Sequence, residues 1–184
     1  GIGVNVTVNS AGTVYAYGTI NNNGDWVHAG GNLWGTGVFN NLLSGSVDIT
    51  GVLTPTNGWQ NTMWNQGSVS VDVTGVFGFT GSVFTNQFGG TVAVVNGELQ
   101  VNGFVNAGTI TSSLTSVLRI TGGTFTNDTG GDASTGTIIL TSGTMVLNVQ
   151  LNILHFTIEG GTVNGPLAVN ILNGGTFVWT GGTI

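Results

Sequence analysis

Apolar and polar residues alternate along short stretches of this chain, and many of these stretches end in glycine. Val47-Asp48-Ile49-Thr50-Gly51 and Leu118-Arg119-Ile120-Thr121-Gly122 are two examples. A period of two residues places successive side chains on opposite faces of a β-strand. No segment sustains the 3.6-residue period of an amphipathic helix. The pattern therefore predicts an all-β protein of short strands joined by tight bends.

A second pattern recurs over most of the chain: an apolar residue stands two positions before an asparagine. The intervals between these asparagines run from 19 to 24 residues, with a mean of about 21. A repeat of this length is typical of stacked supersecondary units. The recurring positions are Asn22, Asn41, Asn65, Asn86, Asn106, Asn127, Asn148 and Asn170.

A β-sandwich gives no reason for such a repeat, whereas a parallel β-solenoid stacks like side chains about 4.8 Å apart. The sequence therefore predicts a parallel β-solenoid (β-helix) of roughly nine coils of about 21 residues. Residues 1–184 form a single solenoid domain in this interpretation, either alone or as a segment of a longer rod. The eight asparagines are expected to form a buried structural column, because a carboxamide both donates and accepts hydrogen bonds.

The charge composition excludes several classes of function. The chain has one Arg, no Lys and seven acidic residues, so nucleic acid would meet no basic surface. It has no Cys, which excludes disulfides and thiolate metal sites, and no apolar run long enough to span a bilayer. No cofactor is expected.

The stretch from Phe84 to Ile110 and the closing segment from Gly174 to Ile184 resemble the repeats of secreted bacterial β-helix surface proteins. These are the filamentous-haemagglutinin-like and autotransporter-passenger adhesins. The resemblance implies an extracellular or cell-surface location and a structural or adhesive rod. The near absence of basic residues departs from that pattern.

Asp48 and Asp72 occupy equivalent places in two similar strand motifs. Stacked in register, their carboxylates would lie about 5 Å apart, as in a retaining glycosidase. Three interpretations remain: hydrolysis, a weak metal site between the acids, and a solvated outward column that continues through Gln100 and Arg119. We favour the outward column, because catalysis also needs a cleft and a carboxyl group of raised pKa.

Three tryptophans are candidate contacts to a ligand or to another subunit: Trp59, Trp26 and Trp34. Trp59 follows Pro55 and the Asn57-Gly58 pair, which predict an exposed loop. An exposed indole could stack on a sugar ring or on a neighbouring molecule. His28 and His155 are expected in turns or on the surface.

Pairs of threonines at 54/56, 109/111 and 124/126 raise the alternative of an ice-binding solenoid, although their spacing is unequal. Asn127, Asp128 and Asp132 in a glycine-rich bend could hold calcium, but we favour a plain polar loop.

The sequence favours a non-enzymatic, extracellular structural or adhesive solenoid that associates with itself end to end. Both terminal segments, Gly1 to Val8 and Phe177 to Ile184, have the pattern of β-strands. Neither carries a charge that would block pairing with another strand. Surface glycans are further expected partners, whereas nucleic acid and a membrane span are not expected. The alternatives are a carbohydrate-active or carbohydrate-binding β-helix and the ice-binding solenoid.

Overall fold

The computed structural model describes residues 6–8, 12–53, 58–81, 83–128 and 131–184. They form a parallel β-solenoid of about eight turns without a helix, which confirms the predicted fold class and approximate coil number. Every pairing between named strands is parallel. The threonines at 54 and 56, the Pro55 and Asn57 of the expected loop, and residues 1–5 lie outside the described residues.

The described strands are short, and each turn of the solenoid uses two or three of them. They are β1 Val6–Val8, β2 Thr13–Tyr15, β3 Thr19–Asn22, β4 Asp25–His28, β5 Asn32–Trp34, β6 Val38–Asn41, β7 Ser46–Leu53, β8 Gly58–Trp59, β9 Thr62–Asn65, β10 Ser68–Phe79, β11 Phe84–Asn86, β12 Thr91–Val101, β13 Phe104–Asn106, β14 Thr109–Ser112, β15 Val117–Ile120, β16 Thr124–Asn127, β17 Asp132–Leu140, β18 Thr144–Leu147, β19 Leu151–Ile158, β20 Thr162–Asn164 and β21 Val169–Trp179.

The strands build two sheets that form three sides of the solenoid. Side one contains β1, β4, β7, β14 and the first halves of β10, β12, β17, β19 and β21. Side two contains β2, β5, β8, β15 and the second halves of those long strands. Side three is the separate eight-stranded sheet, in the order β20-β18-β16-β13-β11-β9-β6-β3.

Inward side chains of the three sides stack in register and fill one continuous core. On side three, Phe84, Phe104 and Phe125 lie directly above one another, and the first two ring centroids are 4.7 Å apart. On side two, Leu99 and Leu118 are fully buried in adjacent coils. Burial of these apolar surfaces at about 25 cal/mol per Å² drives folding of a chain that has few charges.

Glycines allow the long strands to bend from side one to side two. Gly51, Gly75 and Gly97 have φ angles of 100°, 113° and 76° in three successive coils. A residue with a Cβ rarely adopts these angles, so a strand of ordinary residues could not make this bend.

Six of the eight predicted asparagines form a buried ladder along side three. The Nδ2 of each of the first five donates to the Oδ1 of the asparagine in the next coil at 2.8 to 2.9 Å. The members of this asparagine ladder are Asn22, Asn41, Asn65, Asn86, Asn106 and Asn127. Gly90 shows why glycine follows the ladder: a Cβ there would lie 2.5 Å from the Asn65 carbonyl oxygen and 2.7 Å from Asn86 Oδ1.

The predictions for Asn148 and Asn170 are wrong. Leu147, not Asn148, pairs with Asn127 at the ladder position. Asn148 lies one residue further along, is exposed, and donates to Asp128 Oδ1 at 3.3 Å. Asn170 lies on side one, where its Nδ2 donates to Asn152 Oδ1 at 3.0 Å. The ladder therefore ends at Asn127, whose buried Nδ2 has no hydrogen-bond partner among the described residues.

Candidate functional site

Asp48 and Asp72 do not stack, which corrects the predicted carboxylate pair. Asp48 pairs with Ser70 in the next coil, and Asp72 pairs with Thr50 in the previous one. The two acids are therefore diagonal neighbours, offset by two residues along the strand. Asp72 Oδ1 instead accepts a hydrogen bond of 2.7 Å from Asn96 Nδ2. The directly stacked carboxylate pair expected by analogy with a retaining glycosidase is therefore not formed.

The predicted column through Gln100 and Arg119 belongs to another side of the molecule. Gln100 and Arg119 pair with each other on side two, and Gln100 faces Gly78 rather than Asp72. Arg119 is held by Glu98, with Nε to Oε1 at 2.9 Å and Nη2 to Oε2 at 3.2 Å. These hydrogen bonds, together with the nearby carboxylates, raise the pKa of Arg119. The guanidinium also reaches Glu159 at 3.3 Å.

Trp59 and Trp26 are buried in the core, so the prediction that Trp59 lies exposed in a loop is wrong. Trp59 occupies an inward position beside Phe79 on side two and is 0% exposed. Its ring packs edge-on against Trp26, with centroids 6.3 Å apart, and against Phe77 and Phe79. Neither indole can contact a ligand without unfolding of the coil around it.

His28 joins this aromatic cluster, although the sequence suggests a turn or surface position. The ring is fully buried between Trp59 and Phe77. Trp59 Nε1 donates to His28 Nδ1 at 3.4 Å, so Nε2 carries the proton and donates to the Gly31 carbonyl oxygen at 3.3 Å. Burial lowers the pKa of His28 to about 4. The imidazole is thus a neutral core residue.

His155 lies in strand β19, on the outward face of side two. Its Nδ1 is 2.9 Å from the Thr176 hydroxyl of the next coil. The histidine is therefore on the surface, as expected, but in a strand.

Trp34 is the one predicted tryptophan contact that is partly accessible. It lies on the outward face of side two, beside Tyr15 in the adjacent coil. The Tyr15 and Trp34 rings meet edge-on at 6.2 Å, and Tyr15 stacks on Tyr17 at 6.4 Å. Tyr15 and Tyr17 are 60% and 72% exposed. Neither tyrosine was expected as a contact residue, although Tyr15-Ala16-Tyr17 is an aromatic pair at strand spacing.

At the β21 end the core opens to solvent. Phe177 and Trp179 pair with buried Phe156 and Ile158 but are themselves 47% and 55% exposed. Phe177, Val169 and other apolar residues line a groove of about 510 Å³ at this end. Among the described strands, β21 pairs with β19 alone. This end surface has the side chains of a core, and no coil of the described residues covers it.

The predicted threonine pairs do not share one side. Thr109 and Thr111 point outward from β14 on side one, whereas Thr124 and Thr126 belong to β16 on side three. Within the described residues, no group of three or more His, Asp or Glu side chains could hold a metal ion. That part of the chain also contains no helix able to cross a membrane.

In comparisons with protein-family models, curated proteins and solved structures, the chain matches none.

Proposed function

We propose that this protein is a structural or adhesive element of an extracellular or cell-surface rod, built by end-to-end contact between solenoids. The observation that carries the proposal is the end surface at β21. At this end the inward positions of β21 are in register with the buried positions of β19. Among the described strands, β21 is paired on one side only. An exposed strand edge above exposed core side chains is a template for a further β-coil.

The regularity of the coils supports stacking as the mode of assembly. Each coil presents the same pairing edge to the next, and ladder and core residues recur in register. In such a solenoid each repeat contacts only its neighbours, so a coil from a second copy can take the place of the next repeat. We propose a second copy as the occupant of the β21 end.

The proposed location and adhesive role rest on the sequence resemblance and on surface composition. The resemblance to filamentous-haemagglutinin-like and autotransporter-passenger repeats implies a secreted adhesin. The Tyr15, Tyr17 and Trp34 patch supplies an exposed aromatic surface of the kind used in contacts. The role is non-enzymatic in this proposal, and the directly stacked Asp48 and Asp72 pair expected from the sequence is not formed.

Sedimentation velocity and negative-stain electron microscopy over a range of concentrations test the assembly. The wild-type chain is expected to form rods that lengthen as concentration rises. Phe177→Lys should hold it as single subunits, because Phe177 faces the open core, and a charge buried there is costly.

Val178→Lys is the matched control, since Val178 pairs with Thr157 on the outward face of the same strand. This variant should assemble like the wild type. A wild-type protein that stays monomeric at the highest concentration, or equal behaviour of the two variants, would overturn the proposal.

A further inference from the structure

Trp64 is an exposed tryptophan that the sequence analysis did not select as a contact residue. It points outward from β9 on side three and is 47% exposed. It pairs with Asn40 in the preceding coil and with Thr85 in the following one. Beside it runs a groove of about 280 Å³, lined by Asn40, Asn41, Leu42, Trp64, Gln66 and Gln87.

The amides around this groove are placed by the ladder next to them. The backbone N–H groups of Gln66 and Gln87 each donate at 2.8 Å to the carbonyl oxygen of a ladder asparagine in the preceding coil. The two glutamines therefore follow the ladder at the same corner in successive coils, about 4.8 Å apart along the axis. Both side chains border solvent, and neither makes a hydrogen bond within the described chain.

Asn40 completes the polar edge of the groove. Its Nδ2 donates to Asn21 Oδ1 at 2.8 Å, which fixes the amide. Its Oδ1 accepts no hydrogen bond from the described residues and remains available. Phe88, directly after Gln87, is 83% exposed and adds a second aromatic ring at this corner.

The surface that carries the groove is uncharged. None of the eight strands of side three contains a charged residue. An acidic or basic ligand would thus find no counter-charge beside Trp64. An aromatic face combined with amide donors and acceptors fits a ligand that has apolar C–H faces and many hydroxyl groups.

We propose that this groove binds a neutral β-1,4-linked hexopyranose chain, with one sugar ring stacked on Trp64 and its hydroxyls bound by Gln66, Gln87 and Asn40. The coil spacing is close to the length of one sugar residue in such an extended chain, so successive coils can offer an amide to successive sugars. The inference deepens the adhesive part of the function proposed above and rests on it.

Isothermal titration calorimetry with cellohexaose and chitohexaose tests the groove, at a protein concentration where sedimentation shows single subunits. Binding of at least one of these oligosaccharides is expected. Trp64→Ala should weaken it by about tenfold or more, because aromatic anchors dominate such contacts. Trp64→Phe should retain most of the affinity, and Gln66→Ala and Gln87→Ala should each weaken it by about threefold or more.

Leu114→Ala is the control, since it removes an exposed apolar side chain from the turn between β14 and β15, away from the groove. It should leave the affinity unchanged, and circular dichroism should show that every variant is folded. The proposal is overturned if neither oligosaccharide binds, or if Trp64→Ala binds as tightly as the wild type. Because binding is measured on single subunits, failure here leaves rod assembly standing, and failure to assemble leaves the groove standing.

Discussion

At the scale of single residues, His28 is unusual because an ionisable ring is completely buried among aromatic side chains. The neighbours that enclose it, Trp59 and Phe77, carry no charge, and its hydrogen bonds go to an indole N–H and a backbone carbonyl. No carboxylate balances a proton on the ring, so burial favours the neutral form. The aromatic cluster is therefore sensitive to acid.

The free energy of unfolding is expected to fall as the pH drops from about 6.5 to about 4. In this range the unfolded chain binds a proton at His28, whereas the folded chain, with a pKa of about 4, does not. The contribution of the neutral His28 ring to the free energy of unfolding is complete above the pKa of the unfolded chain. It is lost as the pH falls through the folded pKa of about 4, and the total loss is about 3 kcal/mol. Urea unfolding at several pH values measures it.

His28→Phe serves as the reference, because it removes this titration and leaves every carboxylate in place. The difference between wild type and variant should therefore change with pH by the stated amount. A difference that stays constant from pH 7 to pH 4 would contradict the assignment.

Sequence reasoning misplaces Trp59 for a physical reason. Pro55 and Asn57-Gly58 are residue types that favour a bend, and a sequence pattern of inward and outward positions cannot be continued across a bend. Trp59 lies at an inward position of β8, in register with Leu33 and Phe79. The residues around Trp59 do not distinguish an inward strand position from an exposed loop position.

At the scale of elements, the asparagine ladder could be predicted for the members that occupy the same position in their strands. From Asn22 to Asn127 each member closes a side-three strand. At the next coil Leu147 takes the ladder position, and the asparagine that keeps the interval, Asn148, lies one residue too late. Spacing alone does not reveal a shift of one residue, although it reverses the direction of the side chain.

Replacing an asparagine within the ladder should cost more than replacing its last member. Asn86→Leu removes the hydrogen bond that Asn86 Nδ2 donates to Asn106 Oδ1 and takes one acceptor from Asn65 Nδ2, so we expect a loss of about 2–5 kcal/mol. Asn127→Leu takes one acceptor from Asn106 but also removes an unpaired buried amide, so a loss of about 1 kcal/mol or less is expected. Denaturant unfolding measures both.

Asn40→Leu provides the exposed control on the same sheet and should change stability by less than about 0.5 kcal/mol. Equal losses of unfolding free energy for Asn86→Leu and Asn127→Leu would contradict this expectation. They would show that the hydrogen bonds between ladder amides add no stability beyond side-chain packing.

Register is the part of the fold that the sequence could not supply. The motifs around Asp48 and Asp72 look equivalent, yet Val47 pairs with Val69 and Ile49 with Val71. A slip of two residues keeps every side chain on its original face, so period-two alternation cannot detect it. The repeat length and coil number do not depend on register, and they were predictable.

At the scale of the whole molecule, the scarcity of basic residues makes one peptide bond a probe of global unfolding. Trypsin can cleave this chain only after Arg119, which lies within β15 between β12 and β17 and is held by Glu98. Cleavage therefore requires separation of three coils, and the native protein should resist trypsin. Gel electrophoresis of a digestion time course follows the intact chain.

Leu114→Arg gives the control, because Leu114 is 71% exposed in a turn of the same coil. That variant should be cut rapidly at the new site. Rapid cleavage of the wild type into two fragments under native conditions would mean that β15 opens locally.

The asparagine ladder also gives the solenoid an electrical polarity. Each carboxamide from Asn22 to Asn106 donates toward the next coil, and each from Asn41 to Asn127 accepts from the coil before, so the amide dipoles are parallel. Aligned amide dipoles add, as they do in a helix. The unpaired Nδ2 of Asn127 is the positive end of this line. Two solenoids stacked head to tail would extend one dipole, whereas head-to-head stacking would set two in opposition, so a filament of this protein would have a direction as well as a length.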